Sequence, residues 1–102
     1  MIAKGKKTLE WEREREKLKM QYEQLGITTC EWVICHTSLN LGFHHFDKRS
    51  SGLAVHDIFH TCLLCNHHHN LCEYNKEANA FMRKRHLENL VLLGLSLPEG
   101  VL

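Results

Sequence analysis

The sequence contains no apolar run approaching the eighteen or so residues that a membrane span needs. Its N-terminus is basic and polar and has no apolar core of the kind a signal peptide requires. The expectation is a cytoplasmic protein with no membrane partner. Proline occurs once and glycine six times in 102 residues, and no internal repeat or low-complexity segment is visible, which fits one small globular domain. Neither sign of charge dominates: thirteen Lys and Arg face twelve Asp and Glu for a net charge of +1. That balance neither favours nor excludes a nucleic-acid partner, so local patches must decide. A chain this short buries only about 65% of the surface it exposes when unfolded, and such a thin core calls for reinforcement.

The chain is rich in metal-binding side chains instead. It has nine histidines and five cysteines, and thirteen of these fourteen residues fall between Cys30 and Cys72. In a reducing compartment the cysteines are expected to persist as thiolates, and an odd number beside abundant histidine suits metal ligation better than a disulfide framework. Cys30 and Cys35 form one close pair, Cys62 and Cys65 another, with 26 residues between them. Four thiolates would close a tetrahedral site around a structural Zn²⁺ and leave no position for a substrate. Such a site supplies folding free energy that a thin core lacks. His36, directly after Cys35, is a possible substitute ligand, and Cys72 reads as a core thiol.

Around these pairs the pattern predicts an α+β domain. Residues 1–7 read as a loose basic arm. Trp11, Leu18, Tyr22 and Leu25 recur at helical steps within a heavily charged segment, predicting a helix over 8–25 that Gly26 ends. The β-branched stretch 27–35 reads as a strand entering the first Cys turn. Residues 39–46 read as a strand, 47–52 as a polar turn and 53–55 as a short return strand, together a β-hairpin. Cys62 to Cys65 reads as a second Cys turn that leads into a helix carrying His67, His68 and His69. A final helix spans roughly 76–93, with Phe81, Leu87, Leu90 and Val91 on one face. The resulting division is an arm and charged helix over 1–26 and a core with a C-terminal helix over 27–102, in one compact domain. The seam of the first helix, or the apolar run from Leu90 to Leu95, could pair with another chain, so a dimer is possible and the oligomeric state stays open.

His44 and His45 are adjacent, and on a strand they point to opposite faces unless a twist turns both towards one cleft. Hydrolysis of a phosphodiester needs a base for water, a Lewis acid for the developing oxyanion, and groups that hold the phosphate. A neutral imidazole can supply the first, a histidine-bound Mg²⁺ or Mn²⁺ the second, and Lys48 and Arg49 the third. His56 and His60 flank Asp57 nearby, and Arg83, Lys84 and Arg85 form a second basic patch.

The order Cys-x4-Cys, Gly42-Phe43-His44-His45, a Lys-Arg turn, Asp57, Cys62-Leu63-Leu64-Cys65 and a following histidine run resembles small HNH endonucleases of the type that phages and prophages encode. The resemblance covers roughly residues 29–74. It implies a ββα-metal, treble-clef-like fold stapled by a four-cysteine zinc site and flanked by an N-terminal and a C-terminal helix. It further implies DNA as substrate, a bacterial or phage-infected cell as location, and products with 5′-phosphate and 3′-hydroxyl ends. His45 matches the general base and His44 the metal ligand before it. Asp57 stands where the family has an asparagine that orients the hairpin loop, and could itself ligate the ion. The closing ligand comes from His67, His68 or His69, with His69 favoured over His68. The rival reading is a non-catalytic zinc module that binds nucleic acid or a protein.

Overall fold

The computed structural model describes residues 6–47, 57–99 and 101. It is an α+β structure of three helices and one two-stranded antiparallel sheet, in the order α1 (Lys6–Leu25), β1 (Leu41–His45), β2 (Thr61–Cys65), α2 (Asn66–Tyr74) and α3 (Lys76–Leu92). This architecture is compatible with a small zinc-binding domain. Among the described residues no helix is long and apolar enough to cross a membrane.

Helix α1 buries only the narrow seam expected of it. Leu18 and Tyr22 are buried, while Trp11 and Leu25 pack partly against the same core. Its end is a Schellman motif: Gly26 takes φ +78°, its N–H donates to the Glu23 carbonyl, and the Ile27 N–H donates to that of Tyr22. Only glycine reaches that dihedral without Cβ strain. Ile27 then turns back onto Tyr22 in the core. Helix α3 ends the same way, with Gly94 at φ +95° and the Leu95 N–H donating to the Leu90 carbonyl. Its start is capped by Asn75, whose side-chain oxygen accepts from the Ala78 N–H. The buried positions of α3 are Met82, His86, Leu87 and Leu90. Phe81 and Val91, expected on the buried face, are about half exposed.

The sheet departs from expectation. β1 pairs with Thr61–Cys65, matching His44 with Cys62 and Leu41 with Cys65. The Cys62–Cys65 segment is therefore a strand and not a turn, and it runs directly into α2. All five residues of β2 are buried. The proposed return strand 53–55 lies outside the described residues, as do residues 1–5 of the basic arm. Residues 27–35 form turns and extended loop in place of the expected strand. Ile34 takes a positive φ there, as do His36 and Asn40 just beyond, which a regular strand forbids.

Alternation along β2 splits the core in two. Leu63 joins Leu18, Tyr22, Ile27, Ile58, Leu87, Leu90 and Val101 on one side. Cys62 and Leu64 join Cys72, Phe46 and Met82 on the other. Two buried polar chains tie the layers together. Tyr22 donates to Thr61 Oγ1, which donates to the Asp57 carbonyl. Glu31 accepts from the Leu63 N–H at 2.6 Å and contacts His86 Nδ1 at 2.7 Å, while His86 Nε2 donates to the Ile58 carbonyl at 2.6 Å. That chain fixes the first Cys loop to β2 and α3.

Candidate metal centres

The N-terminus of α2 sits where β2 ends, so Cys65 is both the last strand residue and the helix N-cap. One helical turn then carries His68 back to the same corner, where the loop 30–35 brings Cys30 and Cys35. Cys30, Cys35, Cys65 and His68 each offer a ligand atom, and these four atoms lie within 4.8 Å of one another. Cys65 Sγ and Cys30 Sγ lie 3.2 and 3.6 Å from His68 Nδ1, and Cys35 Sγ lies 3.9 Å from Cys65 Sγ. Ligands held at about 2.3 Å around a tetrahedral ion are separated by about 3.8 Å, so these spacings suit one small cation. The four residues could hold a metal ion.

Electrostatics divide the thiols. Burial pushes Cys30 up to about 11. Burial also raises Cys65, but the N–H of His68, the Cys30 and Cys35 thiols and the N–H of His67 outweigh it and leave Cys65 below the ordinary thiol value. Burial, with His67 adding to it, pulls the His68 pKa below the usual histidine value, which favours the neutral form that a cation binds. Trp32 stacks on that ring at 5.0 Å and 10°.

Cys62, expected to complete this site, is placed elsewhere. Cys62 packs in the same buried cluster as Cys30 and Cys65, but its sulfur is not among the ligand atoms gathered at that corner, where His68 supplies the fourth. Its thiol is fully buried beside Leu64 and Cys72, and burial raises its pKa well above normal. His68, expected near the catalytic ion, stands in the thiolate corner in its place. Cys72 is a buried core thiol, as read.

A second group of donors lines a cleft of about 700 Å³. His44 on β1 and His69 and Glu73 on α2 bring three ligand atoms within 4.8 Å of one another. Glu73 Oε2 lies 3.9 Å from His44 Nδ1 and 4.0 Å from His69 Nε2. His44 is buried at 2% exposure, and its Nδ1 has no hydrogen-bond partner among the described residues. Burial pulls its pKa below the usual histidine value. A buried, unpartnered imidazole nitrogen facing a carboxylate and a second imidazole fits a divalent cation. Two nitrogens and one oxygen leave coordination positions open.

His45, on the opposite side of the strand, packs edge-on against Trp11 at 4.7 Å and still lines the same cleft. Asp57 belongs to neither donor cluster. It closes its own turn, with Oδ1 accepting from the Phe59 N–H at 2.9 Å and contacting His60 Nδ1 at 2.5 Å. Lys48, Arg49 and His56 lie outside the described residues.

Glu73 is not among the ligands expected from the sequence, although His69 and Glu73 are four apart on one helix, a spacing that puts both side chains on one face. Cys65-x2-His68 is likewise ligand spacing. Comparison with models of protein families, with curated proteins and with solved structures finds no match to this chain.

Proposed function

We propose that the chain is a metal-dependent endonuclease of the HNH type that hydrolyses DNA phosphodiester bonds in the His44–His69–Glu73 cleft, on a scaffold stapled by Zn²⁺ at Cys30, Cys35, Cys65 and His68. The observation that carries the proposal is that two unlike donor sets meet at one short helix, which supplies His68 to the first and His69 and Glu73 to the second. The first set has three sulfurs and a nitrogen, the soft, four-fold complement of a structural zinc. The second mixes imidazole and carboxylate in an open cleft, the donor type that suits Mg²⁺ or Mn²⁺ with positions left for substrate.

His44, His69 and Glu73 would hold the catalytic ion, which when bound supplies Lewis-acid stabilisation to the phosphoryl group and the leaving oxygen. His45 lines the same cleft and takes the proton of the attacking water as general base. Trp11 packs against that ring on the cleft lining. Arg15 and Lys76 stand on the cleft lining and offer positive charge to flanking phosphates, and Lys48 and Arg49 retain the clamp role drawn from the sequence. Asp57, engaged with its own turn and His60, acts here by fixing the loop that enters β2 and not as a ligand.

The test is a nicking assay on supercoiled plasmid with Mg²⁺ or Mn²⁺. Nicking that EDTA stops and His45→Ala abolishes, with metal content at the cysteine corner unchanged, is the expected result. Binding of DNA without any strand break would replace the enzyme by a non-catalytic zinc module.

A further inference from the structure

The cleft contains one contact whose chemistry admits a single arrangement of protons. His44 Nε2 lies 2.6 Å from Asn79 Oδ1, and Asn79 Nδ2 lies 3.2 Å from the Phe46 carbonyl. A backbone carbonyl only accepts, so the Asn79 atom facing it must be the NH₂ group. The amide oxygen is thereby turned towards His44, and an oxygen that only accepts requires N–H at Nε2. The neutral ring then carries its lone pair on Nδ1, the buried atom that has no hydrogen-bond partner among the described residues and faces Glu73. Both alternatives set lone pair against lone pair: turning the amide points its oxygen at the Phe46 carbonyl, and moving the ring proton to Nδ1 leaves Nε2 opposing Asn79 Oδ1.

We propose that Asn79 is a positioning residue that holds His44 in the Nε2–H tautomer, so that Nδ1 is the atom offered to a divalent cation. The ligand part of this statement rests on the metal site proposed above, whereas the tautomer part stands on the hydrogen bonds alone. Asn79 is suited to the task by its place in the fold. It lies one turn into α3, its own N–H bonded to the Asn75 carbonyl, on an element separate from those that carry His44, His69 and Glu73. A ligand on β1 is thus oriented from the third helix, and the ring keeps its orientation before any ion arrives. A partner of this kind typically changes metal affinity by about 10- to 100-fold when removed.

Two measurements on the full chain with its cysteine corner loaded test the proposal. The ¹⁵N shifts and two-bond couplings of the His44 ring, read without added Mn²⁺, should show a protonated Nε2 and a bare Nδ1; a proton on Nδ1 overturns the assignment, and this reading needs no variant. Mn²⁺ titration, followed by paramagnetic broadening of the His44 and His69 signals, should show binding weakened about 10- to 100-fold in Asn79→Leu. The Co²⁺ absorption of the cysteine corner should stay unchanged in that variant. Mn²⁺ affinity equal to wild type in Asn79→Leu overturns the positioning role. Wild-type protein that binds no Mn²⁺ at these residues ends the cleft's reading as a metal site, and the ligand role with it, while the tautomer is still decided by the first measurement.

Discussion

His68 and His69 are neighbours in the sequence and belong to different centres. On α2 each residue turns the side-chain direction by about 100°, so His68 swings into a corner of three sulfurs while His69 faces His44 and Glu73 across a cleft. The two regions differ in donor softness, in closure and in access. The sulfur corner is a complete set of four donors and leaves no position for a substrate. The cleft offers three donors, one of them an exposed carboxylate. One helix of nine residues thus contributes ligands to two candidate metal sites side by side, and its pitch keeps them apart.

The largest effect expected from breaking this comparison is the contrast between two adjacent substitutions. His68→Ala should remove the tightly bound ion and most of the fold with it, since structural zinc contributes on the order of 10 kcal/mol in small domains. His69→Ala should leave thermal unfolding near wild type while lowering plasmid nicking by at least about 100-fold. Metal content per chain and a calorimetric scan of both variants check the difference. Equal effects in the two variants would mean that the centres are one.

Acid should affect both regions. His44 and His68 have pKa values held below the ordinary histidine value of 6.5, in each case chiefly by burial. The unfolded chain therefore binds these protons first as pH drops. The stabilisation is complete above about 6.5 and is lost as pH falls from there through the depressed folded values. Metal release and unfolding should begin together below about pH 6.5, monitored with a chromophoric chelator and far-UV circular dichroism. Cys30, pushed up to about 11 by burial, is a thiol without metal at neutral pH, so ion uptake should release a measurable proton in weakly buffered solution.

A smaller effect sharpens the boundary between the regions. Cys62→Ala removes a buried sulfur from the core and should cost about 1–2 kcal/mol with the ion retained, whereas Cys65→Ala loses the ion. Smallest of all is Ile34→Gly. Ile34 is 87% exposed at φ +59°, a conformation that costs a β-branched residue about 1–2 kcal/mol, while glycine adds about 0.5–1 kcal/mol of chain entropy. The variant should be slightly more stable, seen as a rise of a few degrees in the unfolding midpoint.

The helical frame was legible in the residues themselves. The seam of α1 and its glycine stop, the span of α3 and a histidine-bearing α2 all follow from spacing and capping chemistry. The sulfur corner was legible in three of its four members. Its fourth was misplaced because Cys62-Leu63-Leu64-Cys65 has the spacing of a metal-binding turn and also the apolar, short composition of a buried strand. Pairing with β1, some twenty residues away, decides between them, and local pattern carries no trace of that pairing. Residues 27–35 misled for a related reason: their β-branched content favours strand, but the loop bends at positive φ to bring Cys30 and Cys35 together. Glu73 could have been found from its place four residues after His69. Asn79 could not, because its role exists only where α3 crosses the end of β1.

The chain has two tryptophans, and each lies against one centre: Trp32 stacked on His68 and Trp11 edge-on to His45. Indole emission is sensitive to the charge of a neighbouring imidazole, so the protein carries an intrinsic optical gauge at each location. A chain retaining only Trp32 would report the state of the His68 ring at the sulfur corner, and one retaining only Trp11 that of the His45 ring in the cleft, which allows the two locations to be followed separately without any added label.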